Sequence, residues 1–336
     1  MMGSFRLPGA RVAGEALAEL RRLREAAETQ VTVSRRTARR VAELERQVAD
    51  LTAQLSVRLD RIGADVAATR KDAESGRKEL TTLRTAATAS TMSEVLEFTA
   101  QRQMTLRETL ELLARERTSF ARFGDGELRM MVDPLYDLGF QKNSAEIRAA
   151  LRETLAAEPV DGLLVGWPQT FRTAHNSGVW ELVWQDVRRV VPEGRRFGNS
   201  HVSRPICFLE LGDDAVRLWR DVWADEKVLV VTGRGSRFDL VPALFDDVAA
   251  VDHLWTVPRH AFEVLDELEA EIVARASDEL VLLALGPAGT ILASRLARAG
   301  VWAIDVGHLS NSYLNVVDGA PKPEKTPAVR RAARRS

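Results

Sequence analysis

The segment Arg122-Phe123-Gly124-Asp125-Gly126-Glu127 sets two carboxylates two positions apart among glycines, directly after the strand-like run Ser119-Phe120-Ala121. On an extended backbone, side chains at i and i+2 share a side. Asp125 and Glu127 could then converge on one hard cation, while the glycines let a ligand approach the main chain. Arg122, three positions before Asp125, carries a fixed charge suited to phosphate. A cation and an arginine beside a diphosphate would serve sugar transfer from a nucleotide donor. An Asp-x-Glu alone fits a solvated acidic turn equally well, so other segments must contribute.

Three do. Thr232-Gly233-Arg234-Gly235-Ser236-Arg237 follows the apolar run Lys227–Val231 and offers amides, a hydroxyl and two cations to an anion. It lacks the Gly-Lys-Ser/Thr ending of a Walker loop. Gly286-Pro287-Ala288-Gly289-Thr290 follows Leu280–Leu285 and opens a helix whose free N–H groups would cradle phosphate, although its glycines could serve only close packing. Ala303-Ile304-Asp305-Val306-Gly307-His308 ends a strand on an acid and a histidine. A neutral His308 could complete the Asp125/Glu127 cation site or bind phosphate. Asp305 could act as a base or orient His308. Trp167-Pro168 and His201-Val202-Ser203-Arg204-Pro205 are further loop candidates, while His175, His201, His253 and His260 are expected to be structural.

The elements that must position these residues alternate. Strands are predicted at Ser119–Phe123, Gly162–Val165, Lys227–Val231, His253–Val257, Leu280–Leu285 and Val301–Val306. Helices are predicted from the Thr105/Glu108 capping box to about Arg115, and at Ser144–Ala156, Trp180–Val190, Ala261–Ala276 and Ala288–Ala299. Continuous apolar strands imply burial on both faces, hence a largely parallel, Rossmann-like α/β sheet flanked by helices. Ligands tend to gather at the carboxyl ends of such strands.

The 336 residues divide into three styles, at 1–90, 91–318 and 319–336. The first has no tryptophan, and Val41, Leu44, Val48, Leu51 and Leu55 recur at spacings of three and four, a heptad seam. After a stutter it resumes at Leu59, Ile62, Val66, Thr69, Ala73, Gly76, Leu80 and Leu83. A helix this polar has nowhere to bury its stripe alone, which predicts a coiled coil and self-association; folding back on the second region is the other option. All seven tryptophans lie in the second region, and the third, with Pro321, Pro323, Pro327, Arg330, Arg331, Arg334 and Arg335, predicts a disordered basic tail. A formal net charge of −1 argues against nucleic acid as partner, and the single Cys207 excludes an intramolecular disulfide. The absence of a long apolar run or signal-peptide core predicts a cytoplasmic protein without a transmembrane segment.

The motifs SFARFGDGE, GRGSR, LGPAGT and AIDVGH, in that order over roughly residues 105 to 316, resemble the GT-D-fold glycosyltransferases of bacteria, first catalogued as a domain of unknown function. The resemblance implies transfer of a hexose from a UDP-sugar, UDP-glucose among them, to a glycan or glycoprotein acceptor, with Mn²⁺ or Mg²⁺ held through the Asp-x-Glu. It places Asp125 and Glu127 at the cation. Arg122, Gly124, Gly233, Ser236, Arg237 and the segment Gly286, Pro287 to Thr290 would face the nucleotide, and His308 stands in the Asp-x-Gly-His position. Ala288-Gly289 replaces a Thr-Ala pair, and Leu309-Ser310-Asn311 replaces an acidic continuation. A coiled-coil assembly protein carrying an inactive nucleotide-sugar-binding module is the alternative.

Overall fold

A computed structural model describes residues 9–157, 161–171, 173–275 and 278–327. The chain divides into two compact units, Met1–Leu80 and Thr81–Ser336. From Gly9 the first is a single helix, the opening part of α1 (Gly9–Arg102), whose seam residues from Val41 to Ala73, and Leu80, are exposed. None of the described helices is long and apolar enough to cross a membrane.

The second unit begins within α1, which runs through the predicted boundary at residue 90. Its last turns bury Met92 and Val95, set Phe98 against Trp167 at 5.0 Å, and let Trp184 Nε1 donate to Glu94 at 2.9 Å. Thr105 and Glu108 then cap α2 (Leu106–Glu116) as predicted. The chain continues through β1 (Ser119–Arg122), α3 (Asp125–Val132), α4 (Ala145–Ala156), β2 (Leu163–Trp167), α5 (Ala174–Val190) and β3 (Gly198–Asn199). Next come α6 (Pro205–Leu211), α7 (Asp213–Trp223), β4 (Lys227–Gly233), α8 (Pro242–Phe245), β5 (Ala250–Thr256) and α9 (Leu265–Arg275). The last elements are β6 (Leu280–Ala284), α10 (Pro287–Arg298), β7 (Ala303–Asp305) and α11 (Leu309–Val317). Ala276, the predicted end of a helix, lies outside the described residues.

The strands form one parallel sheet in the order β3-β2-β1-β7-β6-β4-β5. Alternate residues feed two cores. Leu229, Val231, Val281 and Leu283 pack under α3, α4, α5, α9 and α10, whereas Val228, Val230, Leu280 and Leu282 pack under α2, α6, α7, α8 and α11. Burial on both faces is why these strands are apolar throughout. The chain leaves β1 toward one face through α3 and leaves β7 toward the other through α11. A crevice therefore opens between the carboxyl ends of these adjacent strands.

Two expectations are corrected. Asp125 and Glu127 do not sit on extended backbone: Gly124 is the N-cap of α3 and both acids lie in its first turn, where negative charge suits the helix dipole. Residues 319–327 are not a disordered tail, because Pro323 is buried within a 3₁₀ turn, Pro323–Lys325. The arginines of the predicted basic tail, Arg330 to Arg335, lie outside the described residues.

Candidate functional site

Two adjoining cavities occupy the crevice and share Arg122, Glu127, Phe140, Arg237, Arg259 and His308. The first adds Gly233, Ser236 and Gly286 to the apolar residues Phe238, Val257, Pro258 and Leu285. The second is larger, about 570 Å³, and polar, adding Gly124, Asp125, Tyr136, Ser200, His201, Arg204 and Glu324.

Arg122 closes β1 and is 7% exposed, yet its Nε has no hydrogen-bond partner. Its guanidinium lies over Gly307, where a Cβ would come within 2.2 Å of it, and φ there is +50°. Glycine at 307 thus serves both the turn and the arginine. Ser200 Oγ, also buried and on the second cavity, likewise lacks a partner. Buried donors without partners are costly. Both residues line the polar cavity, while the two atoms themselves are covered and Arg122 Nε faces Asp305 at 4.0 Å.

Arg204 and Arg237 complete a cluster of three guanidinium groups. Arg237 bonds His308 Nδ1 at 2.9 Å and also donates to the carbonyls of Pro323 and Thr326; Arg204 pairs with Glu324. Burial, then Arg204, Arg237 and Arg122, push the His308 pKa well below its usual value. Burial with Arg204 and Arg122 likewise takes His201 down to about 3, and its Nδ1 accepts the Gln169 N–H at 3.0 Å. Both imidazoles are neutral within a cationic wall.

The acids divide by role. Glu127 is nearly buried and reaches back to accept the Gly124 N–H at 2.9 Å, closing the first turn of α3. Asp125 is exposed, with one oxygen 3.6 Å from His175 Nε2. Asp305 is 1% exposed and lines neither cavity. It accepts from Thr290 Oγ1 at 3.1 Å and from the Gly307 N–H at 3.0 Å, and its nearest approach to Arg122 is 4.0 Å. Burial pushes its pKa up to about 6 against the pull of Arg122.

Of the sequence-predicted site residues, Arg122, Gly124, Asp125, Glu127, Gly233, Ser236, Arg237, Gly286 and His308 line these cavities. Pro287, Thr290 and Asp305 do not: Thr290 sits beneath the site, 2.9 Å from the Arg122 carbonyl. Gly286 has φ +60°, and a Cβ there would meet the Phe140 ring at 2.4 Å. His308 does not join the acid pair. Among the described residues no three His, Cys, Asp or Glu side chains gather as metal ligands. Glu324 and Phe140 carried no sequence signal, since neither lies in a glycine-rich loop after a strand.

The family model for the glycosyltransferase GT-D fold matches residues 120–328, more than half of the chain. The chain belongs to this family. It is 28% identical over 217 residues to Glycosyltransferase GlyD of Streptococcus pneumoniae, covering 61% of this chain and 26% of that protein. Probable glycosyl transferase Gly of Streptococcus gordonii is 25% identical over 221 residues, covering 62% and 32%. The chain thus spans about a quarter to a third of these relatives. A solved glycosyltransferase (DUF1792) from Streptococcus sanguinis superposes with a TM-score of 0.58 at 24% identity, covering 65% of this chain and 85% of that one. A structure described as domain of unknown function 1792 with a distinct glycosyltransferase fold gives 0.60 at 22% identity, covering 69% and 87%. At these identities the superpositions establish the GT-D fold alone.

Proposed function

We propose that this chain transfers a hexose from a nucleotide-sugar, UDP-linked, to a hydroxyl of a glycan or glycoprotein acceptor. The observation that carries the reading is the convergence of Arg122, Arg204 and Arg237 on one crevice at the strand ends. The apolar slot beside Phe140, Val257 and Pro258 suits a flat base, and the arginines at its border suit the diphosphate. The polar cavity beyond them has room for the sugar and the acceptor.

The donor atoms suit a hard cation in part. Asp125 and the remaining oxygen of Glu127 are oxygen ligands beside a phosphate-binding wall, as Mg²⁺ or Mn²⁺ prefers. The neutral, arginine-ringed His308 belongs instead to the anion side. Asp125 and Glu127 would hold the ion, which supplies charge neutralisation on the leaving diphosphate. Arg122 and Arg237 stabilise the same developing charge, and such groups are worth ~3 kcal/mol each, about a hundredfold in rate. Asp305 acts as a positioning residue: its oxygens fix Gly307 and Thr290, on which Arg122 rests. The acceptor proton would pass to a group on the open cavity, where Asp125 and Glu324 are the carboxylates besides Glu127.

The deciding experiment is turnover against a panel of nucleotide sugars with and without Mn²⁺, repeated with Asp125→Ala, Glu127→Ala and Arg122→Ala. Turnover that collapses in all three variants supports the reading. Rates unchanged in the acid variants remove the cation role, and a parent protein that neither turns over nor binds UDP removes the enzyme. We also propose self-association through α1, and the cytoplasm as the compartment in which such donors are met.

A further inference from the structure

The seam of α1 specifies its partner. In the first two heptads Val41 and Val48 hold the first core position and Leu44 and Leu51 the fourth; beyond the stutter Leu59, Val66, Ala73 and Leu80 take the first and Ile62, Thr69 and Gly76 the fourth. The Val/Leu arrangement of residues 41–54 favours two parallel strands over three or four. The core residues Val41, Leu44, Val48, Leu51, Leu55 and Leu59 are 45–66% exposed on the single helix, so a whole stripe awaits cover.

The flanking charges fit a parallel, in-register pair. In a parallel, in-register pair, the residue before each first core position faces the partner's residue five positions later. Those pairs are Arg40 with Glu45, Asp65 with Arg70 and Asp72 with Arg77, all attractive; Gln47 with Thr52 is neutral and Arg58 meets Gly63. An antiparallel pair closed over residues 65–77 would instead set Asp65 against Asp72 and Arg70 against Arg77, whereas one spanning the whole seam would bring Glu45 near Arg77, and cross-linking separates it from the parallel pair. Arg70 also reaches Glu74 on its own helix at 3.4 Å, a contact compatible with the pairing. Thr69, Ala73 and Gly76 narrow the core late in the seam, which lets two backbones approach closely but leaves a third strand little to bury.

We propose that residues 40–80 pair with a second copy of this chain as a parallel, in-register, two-stranded coiled coil. The proposal is independent of the catalytic reading, because neither cavity contributes to it.

Sedimentation equilibrium on the full chain tests the stoichiometry: a mass twice 37.3 kDa is expected. A monomer at tens of micromolar, or a larger assembly, overturns it. Orientation is read by Leu44→Cys and Leu80→Cys, made separately and oxidised mildly, with Ala53→Cys on the outer face as control; Cys207 is buried and stays. Each seam variant cross-links to its own copy in the parallel pair and the control does not. A dimer that cross-links at neither seam position overturns the register. Arg70→Glu with Arg77→Glu turns four attractive contacts repulsive and raises the dissociation constant by about tenfold or more. Adding Asp65→Arg and Asp72→Arg restores it, and failure of that rescue, with helicity retained, also counts against the pairing.

Discussion

Glu324 pairs with Arg204 across 120 positions of the chain, bringing a residue from beyond α11 to the mouth of the polar cavity. The same turn offers the Pro323 and Thr326 carbonyls to Arg237. Two of the three clustered arginines are therefore engaged by this one short segment. The contacts satisfy buried cations, and the carboxylate competes with a donor's phosphates for Arg204.

Glu324→Gln is accordingly expected to tighten UDP binding by roughly three- to tenfold, since one charged competitor is replaced by a neutral amide. Calorimetric titration of parent and variant with UDP gives the comparison. Weaker binding by the variant would mean that the carboxylate holds Arg204 in place rather than competing for it.

Gly307 bears on Arg122 in the same way. A methyl group there strains a backbone at φ +50° and collides with the guanidinium. Gly307→Ala is expected to lose about 1–2 kcal/mol of stability. Its loss of UDP affinity should be larger than stability explains, about tenfold or more, because the displaced arginine takes a charged hydrogen bond with it. Chemical denaturation and UDP titration on one sample separate the two, and unchanged affinity would place Arg122 outside the donor site.

Asp305 links the site to pH. Its folded pKa of about 6 lies above the ordinary 3.8, so between these values the native protein holds a proton that the unfolded chain has released. The stability this contributes is fully present below about pH 4 and is lost as pH rises through 6, with an upper size on the order of 3 kcal/mol. Asp305→Asn should flatten that part of the profile. Denaturation of the nucleotide-free protein at pH 5 and pH 7.5, with chelator, measures the difference; equal pH dependence in parent and variant would refute it.

The sheet was legible because its central strands are buried on both faces: Lys227–Val231 and Leu280–Leu285 are uninterrupted apolar runs that need no partner information. The loops after them followed from the same logic, and Gly233, Ser236, Arg237 and Gly286 line the crevice. The start of α3 was not legible. Two glycines around Asp125 are poor helix formers, and the bond that starts the helix, Glu127 to the Gly124 amide, reads in sequence as a spaced acid pair. β3 is only Gly198–Asn199, too short to show as a strand, so the His201–Pro205 loop stood only as a further candidate and His201 read as structural, although His201 and Arg204 line the polar cavity. Glu324 reaches the site by tertiary packing alone.

The different settings of the two acids separate structure from chemistry. Glu127 closes the first turn of α3 and is nearly buried, whereas Asp125 is exposed and accepts only the N–H of its neighbour Gly126, at 3.1 Å. Removing a cap costs about 1 kcal/mol. Glu127→Ala should therefore lower both the melting temperature and the metal-dependent turnover, while Asp125→Ala should leave melting within about 0.5 kcal/mol of the parent and still abolish most turnover. Glu127→Gln keeps an oxygen for the Gly124 N–H but surrenders the charge, so it should recover the melting temperature without recovering the rate. Thermal denaturation beside donor turnover in Mn²⁺ reads all three variants. If Glu127→Gln regains both properties, the carboxylate is a helix cap only, and Asp125 would have to hold the cation without it.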